Sequence, residues 1–207
     1  MTDTTARTDV LVQMVLDASG SMITSAAATI EGVNGLIEAQ RAEEGTCLLS
    51  LAQFSSYISV IRVAEDVREV PLLDRSSYRP GGGTALFDAV GAMILGTDEW
   101  LANHPDFTGK VLIVIFTDGE ENSSYDFSGA PGLQRINDMI ADRTEKGWDF
   151  QFMGAGDGWR SAEYFTSIPT TNRLGYGNNA GETAGAYKGL THSLSSLRSV
   201  GSYAGVQ

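Results

Sequence analysis

Hydroxyl and carboxylate side chains alternate in one short turn near the start of the chain. Asp17, Ser19 and Ser21 lie within residues 17–21, directly after the apolar run 10–16. One tight turn therefore offers three oxygen ligands, a set that suits Mg²⁺, Mn²⁺ or Ca²⁺ rather than zinc. The turn follows the carboxyl end of a predicted strand, which is where open α/β sheets place their ligand sites.

Two later segments are predicted to bring more oxygen ligands to the same edge of the sheet. Asp118 follows the most apolar run of the chain, and Thr84 follows three consecutive glycines. In a doubly wound sheet of strand order 3-2-1-4-5-6, the strands that end at Asp17 and Asp118 are neighbours. The sequence therefore predicts one metal site, with waters completing an octahedron. Its ligands would be Asp17, Ser19, Ser21, Thr84 and Asp118.

The elements that must position these residues are predicted strands and helices that alternate along the chain. Continuous apolar runs indicate the strands, and apolar residues at three- and four-residue spacing indicate the helices. Strands are predicted at 10–16, 47–54, 57–63, 110–116, 148–153 and 172–174. Only two serines separate the second strand from the third, so this link permits a hairpin but no parallel crossover. Strand 3 is therefore predicted to be antiparallel at the edge of a mostly parallel six-stranded sheet, with helices on both faces. We expect one domain over residues 9–199, with loose segments at 1–8 and 200–207.

The three motifs resemble the metal-ion-dependent adhesion site (MIDAS) of von Willebrand factor type A (VWA) domains. The matching segments are 17–21, 83–84 and 117–119, and the resemblance extends over about residues 9–155. The runs Gly-Gly-Gly-Thr-Ala-Leu-Phe-Asp-Ala and Thr-Asp-Gly-Glu-Glu-Asn are also similar to small stand-alone bacterial and bacteriophage members. The resemblance implies a three-layer, doubly wound Rossmann-like fold. It also implies that the three hydroxyls touch the metal, while the two carboxylates act directly or through water.

The charge of this ligand set favours binding over catalysis. Hydroxyls are neutral, so only two formal negative charges would surround the dication, which keeps its electrophilic character. An aspartate or glutamate of a partner protein could then complete the coordination. The leading hypothesis is a non-catalytic, metal-dependent protein-binding module, with Mg²⁺ preferred and Mn²⁺ or Ca²⁺ as alternatives.

Two other functions remain open. One is a structural subunit of a bacteriophage or bacterial complex, in which the metal braces the loops. The other is a metal-assisted phosphate hydrolase. Enzymatic function is not expected, because dehalogenase-type phosphatases need a second aspartate where Ser19 stands. The serines also do not form Gly-x-Ser-x-Gly, and neither histidine is an evident base.

The composition narrows the choice of partner and compartment. Lys and Arg total 14 against 26 Asp and Glu, a net charge of −12 that disfavours nucleic acid and anionic membranes as partners. Cys47 is the only cysteine, so an internal disulfide is not possible. The sequence shows neither an apolar leader nor a membrane-spanning run, and the cytoplasm is the expected compartment. The oligomeric state is not indicated.

Several residues near the candidate ligands have more than one interpretation. Glu120 and Glu121 are expected to be solvated loop residues, whereas Asn122 is equally compatible with a place in the site. Asp88 is compatible with an ordinary helix acid or with a residue that orients the Thr84 loop. Trp159 is expected to be a packing residue.

Overall fold

Strands and helices alternate along the chain in the computed structural model, which describes residues 7–177, 179–203 and 205. The strands are β1 (Val10–Asp17), β2 (Cys47–Phe54), β3 (Ile58–Asp66), β4 (Lys110–Thr117), β5 (Asp149–Ala155) and β6 (Arg173–Tyr176). The helices are α1 (Ala26–Arg41), α2 (Leu86–Asn103), α3 (Gly129–Glu145) and α4 (Ala180–Val200). Residues 1–6, 204 and 206–207, which belong to the segments predicted to be loose, lie outside the described residues.

The six strands form one sheet of order β3-β2-β1-β4-β5-β6. All neighbouring pairs are parallel except β2 and β3, which are antiparallel. The predicted strand order and the predicted direction of strand 3 are therefore confirmed. In the β1–β4 pair, Leu16 lies beside Phe116. The carboxyl ends of β1 and β4 therefore lie side by side. Asp17 follows Leu16 by one residue and Asp118 follows Phe116 by two, so both aspartates lie at the same end of the parallel strands.

Helices cover both faces of the sheet, as β1 shows by its alternating side chains. Val12 and Met14 belong to a buried cluster that includes residues of α1 and α4, whereas Leu11 and Val15 belong to a second cluster with α2 and α3. Every residue of β1 is buried, because a central parallel strand is covered on both sides. The predicted three-layer, doubly wound arrangement is confirmed.

The elements differ from the predicted ones mainly at their ends. A short 3-10 turn, Gly20–Ile23, continues the Asp17 turn, and α1 begins at Ala26. β3 continues three residues beyond its predicted end, past an irregularity in its pairing with β2. Described residues of the predicted C-terminal tail contact the domain. Tyr203 donates a hydrogen bond to the side chain of Gln151 (3.0 Å), and the Gly205 carbonyl accepts one from Ser193 (2.6 Å).

The helices of the described residues have the lengths and polarity of helices that pack on a sheet. None of these described helices combines the length and the apolar character that a transmembrane segment needs.

Candidate metal centre

Asp17 is the buried anchor of the candidate site. The residue is 0% exposed, and its carboxylate lies where β1 leaves the sheet. One carboxylate oxygen, Oδ1, accepts a hydrogen bond from the Ser19 amide (2.7 Å), which closes the tight turn. The other, Oδ2, accepts one from the Thr117 hydroxyl at the end of β4 (2.6 Å). Asp17 therefore joins the ends of two neighbouring strands through one side chain.

The two serines of the turn connect this anchor to Asp118. The hydroxyl oxygens of Ser19 and Ser21 lie 3.0 Å apart, and Ser21 donates a hydrogen bond to Oδ1 of Asp118 (2.5 Å). Ser19 is buried, whereas Ser21 is exposed. The structure thus brings four of the predicted site residues into one continuous group, with Ser21 on its solvent side.

Thr84 approaches the same group from the glycine-rich loop. Its position can be judged from Gly119, because a Cβ atom there would lie 3.3 Å from Ser21 Oγ and 3.6 Å from Thr84 Oγ1. The two hydroxyls therefore flank a common point. The loop is held against the turn by a hydrogen bond from the Gly20 amide to the Gly82 carbonyl (3.1 Å). All five predicted residues lie at this edge of the sheet; that they bind a metal stays a prediction.

Asn122 fixes the Thr84 loop to the Asp118 loop. Its side-chain oxygen accepts a hydrogen bond from the Thr84 main-chain amide (2.9 Å), and the Asn122 main-chain amide donates one to the Thr84 carbonyl (3.0 Å). The two loops also touch at Gly83, where a Cβ atom would come within 2.1 Å of Ser123 Oγ. Gly83 therefore has no room for a side chain unless this contact opens. Asn122 belongs to the site as a positioning residue.

Glu121 and Asp88 hold the loop after Asp118 against the first turn of α2. Each carboxylate accepts a hydrogen bond from at least one main-chain amide of the other segment. The Glu121 carboxylate accepts hydrogen bonds from the Phe87 amide in the first turn of α2 (2.9 Å) and from two amides of its own loop. Asp88, in the same turn of α2, accepts from the amides of Tyr125 (2.7 Å) and Phe127 (2.8 Å). The prediction of a solvated Glu121 is therefore wrong. Asp88 holds the loop that carries Asp118.

The sequence did not point to two further supports of Asp17. The buried Tyr78 hydroxyl donates a hydrogen bond to the Asp17 main-chain carbonyl (2.5 Å) from the irregular segment before α2. Thr117 belongs to the Thr-Asp-Gly motif, and its position beside Asp118 was the available signal for a supporting role. The signal for Tyr78 was absent, because its segment shows no periodicity.

Burial makes both carboxylates costly to ionise. Desolvation raises the pKa of Asp17 to about 6, against the lowering effect of hydrogen bonds from Thr117 and Ser19, and the charge of Asp118 raises it further. Burial likewise raises the pKa of Asp118, while the hydrogen bond from Ser21 lowers it. The groups that set these two pKa values include no lysine or arginine. A cation between the loops would therefore relieve an uncompensated negative charge.

The donor set fits a hard divalent cation. It consists of carboxylate and hydroxyl oxygens, which Mg²⁺, Mn²⁺ and Ca²⁺ prefer. Among the described residues, no group of three or more His, Cys, Asp or Glu side chains could hold a metal. Within that part of the chain, this mixed group of hydroxyls and carboxylates is the candidate that the geometry offers.

Comparisons with known proteins identify the fold. No family model and no curated protein matches the sequence. Among solved structures, a von Willebrand factor type A protein from Catenulispora acidiphila is similar, with a TM-score of 0.60 and 16% identity over 91% of this chain and 43% of that one. Proximal thread matrix protein 1 from the mussel byssus, with a zinc-occupied MIDAS motif, gives a TM-score of 0.58 and 15% identity over 92% and 48%. Manganese-loaded TRAP protein from Plasmodium vivax gives 0.55 and 17% over 85% and 70%.

These similarities establish the architecture. At such low identity, shared structure demonstrates a common fold and leaves the activity to be argued from the site. The chain spans about half the length of the mussel protein and of the bacterial one.

Proposed function

We propose that this chain, which has the fold of VWA domains, is a non-catalytic, metal-dependent protein-binding module. A divalent cation, preferably Mg²⁺, would be held by the turn, the Thr84 loop and Asp118, and would coordinate an aspartate or glutamate of a partner protein. One observation carries the proposal: hydroxyls and two buried carboxylates converge between three loops that hydrogen bonds already hold together.

The charge balance supports an electrophilic metal. Asp17 and Asp118 together carry two negative charges, which equal the charge of a bound dication. The ligands from Ser19, Ser21 and Thr84 would be neutral, so no excess negative charge would surround the metal. A partner carboxylate would then form a charge-assisted contact at a position that water otherwise fills. Zinc in the mussel protein and manganese in the Plasmodium protein support a divalent cation in such a fold.

Exposed apolar side chains on the surrounding loops support a protein as the partner. Ile23 is 62% exposed, Tyr57 73%, Tyr125 86% and Trp159 48%. Each belongs to a segment that carries or touches the candidate ligands; the glycine beside Trp159, for example, packs on the main chain of Asp118. Large aromatic residues are enriched in protein interfaces. Trp159, which was expected to be a packing residue, is half-exposed, and its side chain packs against Gly175 of β6.

The alternatives receive less support from the geometry. A hydrolase needs a base near the reacting water, yet His104 ends α2 and His192 lies within α4, away from the three loops. A purely loop-bracing metal would add to loops that Asn122, Glu121 and Asp88 already join. Binding of a partner gives the cation a role that these side chains do not supply.

Metal binding is tested by thermal unfolding of wild type and of a Ser19→Ala, Ser21→Ala double variant. Both proteins are measured in EDTA and then in Mg²⁺, Mn²⁺ and Ca²⁺. At a hundred times the dissociation constant, a bound metal stabilises by about 2.7 kcal/mol. We expect this shift in wild type alone, because the variant keeps both carboxylates but loses two neutral ligands. Equal shifts in both proteins, or none in either, would contradict the proposed site.

Partner recognition is tested separately with a random peptide library displayed on phage. The library is selected on the wild-type protein in Mg²⁺ and eluted with EDTA. We expect recovered peptides to share an aspartate or glutamate and to lose binding when that residue becomes asparagine or glutamine. Metal binding without any acidic consensus would refute the protein-binding function while leaving the metal site intact. Stabilisation by metal without recovered peptides would favour the loop-bracing alternative.

A further inference from the structure

An open groove of about 270 Å³ lies between β6, the edge strand of the sheet, and the 3-10 helix Gly156–Glu163 that follows β5. Trp159 and Ala162 line it from the 3-10 helix, and Leu174 and Gly175 line it from β6. The groove is open to solvent, because both Trp159 and Gly175 are exposed. Its surface is largely apolar, and a ligand can reach it from outside.

The groove lies next to the candidate metal site. A Cβ atom added to Gly158 would be 2.7 Å from the Asp118 Cα. The Ser161 hydroxyl donates a hydrogen bond to the Gly119 carbonyl (2.9 Å), which holds the same 3-10 helix against the Asp118 loop. Since consecutive Cα atoms are about 3.8 Å apart, the Trp159 Cα lies within about 8 Å of the Asp118 Cα. A partner chain bound at the candidate metal site therefore reaches the groove.

Trp159 is held firmly in place although its side chain is half-exposed. A Cβ atom added to Gly154 of β5 would lie 2.5 Å from the Trp159 Cα, and one added to Gly175 of β6 would lie 2.9 Å from the Trp159 Cβ. The main chain of Trp159 therefore packs directly on the ends of two strands. An exposed indole on such a fixed base loses little conformational freedom when a partner binds it.

The two charged residues that line the groove have opposite signs. Glu163 contributes a carboxylate and Arg173 a guanidinium, and the remaining polar residue, Thr170, is neutral. Arg173 donates hydrogen bonds to two main-chain carbonyls, at 2.8 Å and 3.0 Å, which fix the guanidinium but leave its charge uncompensated. A neutral side chain therefore fits the groove better than a cation or an anion, because either charge would face a like charge.

We propose that this groove binds a large apolar side chain, aromatic or branched, of the protein partner whose aspartate or glutamate coordinates the metal. The inference rests on the proposed function and extends it to the sequence of the partner. Trp159 then determines specificity beside the metal, because a fixed, half-exposed indole offers a large apolar surface. An extended chain advances about 3.3 Å per residue, so the separation of about 8 Å places the apolar residue about two to four positions from the acidic one.

Selection of a phage-displayed peptide library with a fixed central aspartate tests this preference. The library is selected in Mg²⁺ and eluted with EDTA on wild type, on Trp159→Ala and on Tyr57→Ala. We expect peptides from wild type to share an aromatic or branched residue about two to four positions from the aspartate. On Trp159→Ala, the peptides should still need the aspartate and Mg²⁺ but should lose this preference. Tyr57→Ala is the matched control and should keep it, because Tyr57 is an exposed aromatic residue at the β3 side of the sheet, away from β6.

A double-mutant cycle measures the contact itself. One recovered peptide and its alanine variant at the apolar position are titrated into wild type and into Trp159→Ala. In wild type, we expect the alanine peptide to bind about tenfold more weakly. In Trp159→Ala, the two peptides should bind equally, since the surface that distinguishes them is gone. A purely structural role of Trp159 would weaken both peptides by the same factor, and this result would overturn the proposal.

Filling the groove provides a second variant that keeps Trp159. Thr170 is exposed and lines the groove, so the long side chain of Thr170→Arg can lie over the indole and should remove the apolar preference. This variant decides the question if Trp159→Ala does not fold. Aspartate-dependent peptides without an apolar preference would overturn this inference alone, whereas the absence of any aspartate-dependent peptide would overturn the proposed function as well. An apolar preference that persists on folded Trp159→Ala, or on Thr170→Arg, would also overturn the inference.

Discussion

Replacing Asp17 with asparagine separates the electrostatic cost of the candidate site from its hydrogen-bond geometry. The remaining carbonyl oxygen of the new side chain can still accept the hydrogen bond from the Ser19 amide. Its NH₂ group would face Thr117, whose hydroxyl now donates to Asp17. That hydroxyl can turn toward the Gly119 carbonyl, 3.2 Å away, and accept from the new donor instead. The Asp17→Asn variant therefore keeps the turn but loses a buried charge.

The expected magnitude follows from the pKa of Asp17. Burial raises this pKa from 3.8 to about 6, so ionisation at pH 7 costs the metal-free folded protein about 3 kcal/mol. Because the folded-state pKa lies above the unfolded one, the group contributes its full stability below about pH 3.8 and loses it as the pH rises through about 6. In EDTA at pH 7, Asp17→Asn should therefore be more stable than wild type by up to about 3 kcal/mol, or roughly 6–12 °C in Tm. The advantage should shrink as the pH approaches 4.

The assay is urea unfolding at pH 7 and pH 4.5, in EDTA and in Mg²⁺. Asp106→Asn is the matched control, since it makes the same change in net charge at an exposed position. In Mg²⁺ the wild type should gain stability that the Asp17→Asn variant largely lacks. An Asp17→Asn variant less stable than wild type in EDTA at pH 7 would refute the electrostatic reasoning. Equal stabilisation of both by Mg²⁺ would refute the role of Asp17 in metal binding.

Two further predictions concern the loops and the helix layer. Glu121→Gln should lower the free energy of unfolding by about 1–3 kcal/mol, because the carboxylate accepts amide hydrogen bonds from two segments; urea unfolding measures this, and the exposed Glu120→Gln should change little. Gly32→Ala should destabilise by about 1–3 kcal/mol, since its Cβ would lie 2.3 Å from the Tyr187 ring and would force α1 and α4 apart. Gly35→Ala on the same helix meets nothing within 4 Å and should instead stabilise by up to about 1 kcal/mol, as thermal unfolding can show. A Gly32→Ala protein as stable as wild type would contradict the packing argument. Glu120→Gln lowering the free energy of unfolding as much as Glu121→Gln would contradict the hydrogen-bond argument.

The layout of the sheet could be predicted from the sequence because local patterns determine it. Continuous apolar runs are typical of strands covered on both faces, and β1 and β4 are such strands. The direction of β3 followed from the length of the link between β2 and β3 alone, since two serines cannot span a parallel crossover. Strand ends were less certain, because hydrogen bonding to neighbours decides where a strand stops.

The candidate ligands could also be identified from the sequence. Asp17, Ser19 and Ser21 share one turn, and Asp118 follows a strand that the doubly wound order places next to β1. Their residue types, their spacing and the strand order were sufficient to predict that they meet. Which of them share hydrogen bonds, and how deeply each is buried, depends on the tertiary structure.

Contacts between distant segments depended on the tertiary structure. Glu121 binds the first turn of α2, Tyr78 binds the end of β1, and the buried side-chain oxygen of Gln13 has no hydrogen-bond partner among the described residues. Arg198 is fully buried and donates hydrogen bonds to the main-chain carbonyls of Gln40, in the last turn of α1, and of Glu44, just after it. Periodicity reports which face of an element is apolar, but the pairing of a polar group depends on atoms that distant residues bring to it. The sequence by itself therefore determined the elements and the candidate ligands, whereas the tertiary structure decided which polar side chains are supported and which remain unpaired.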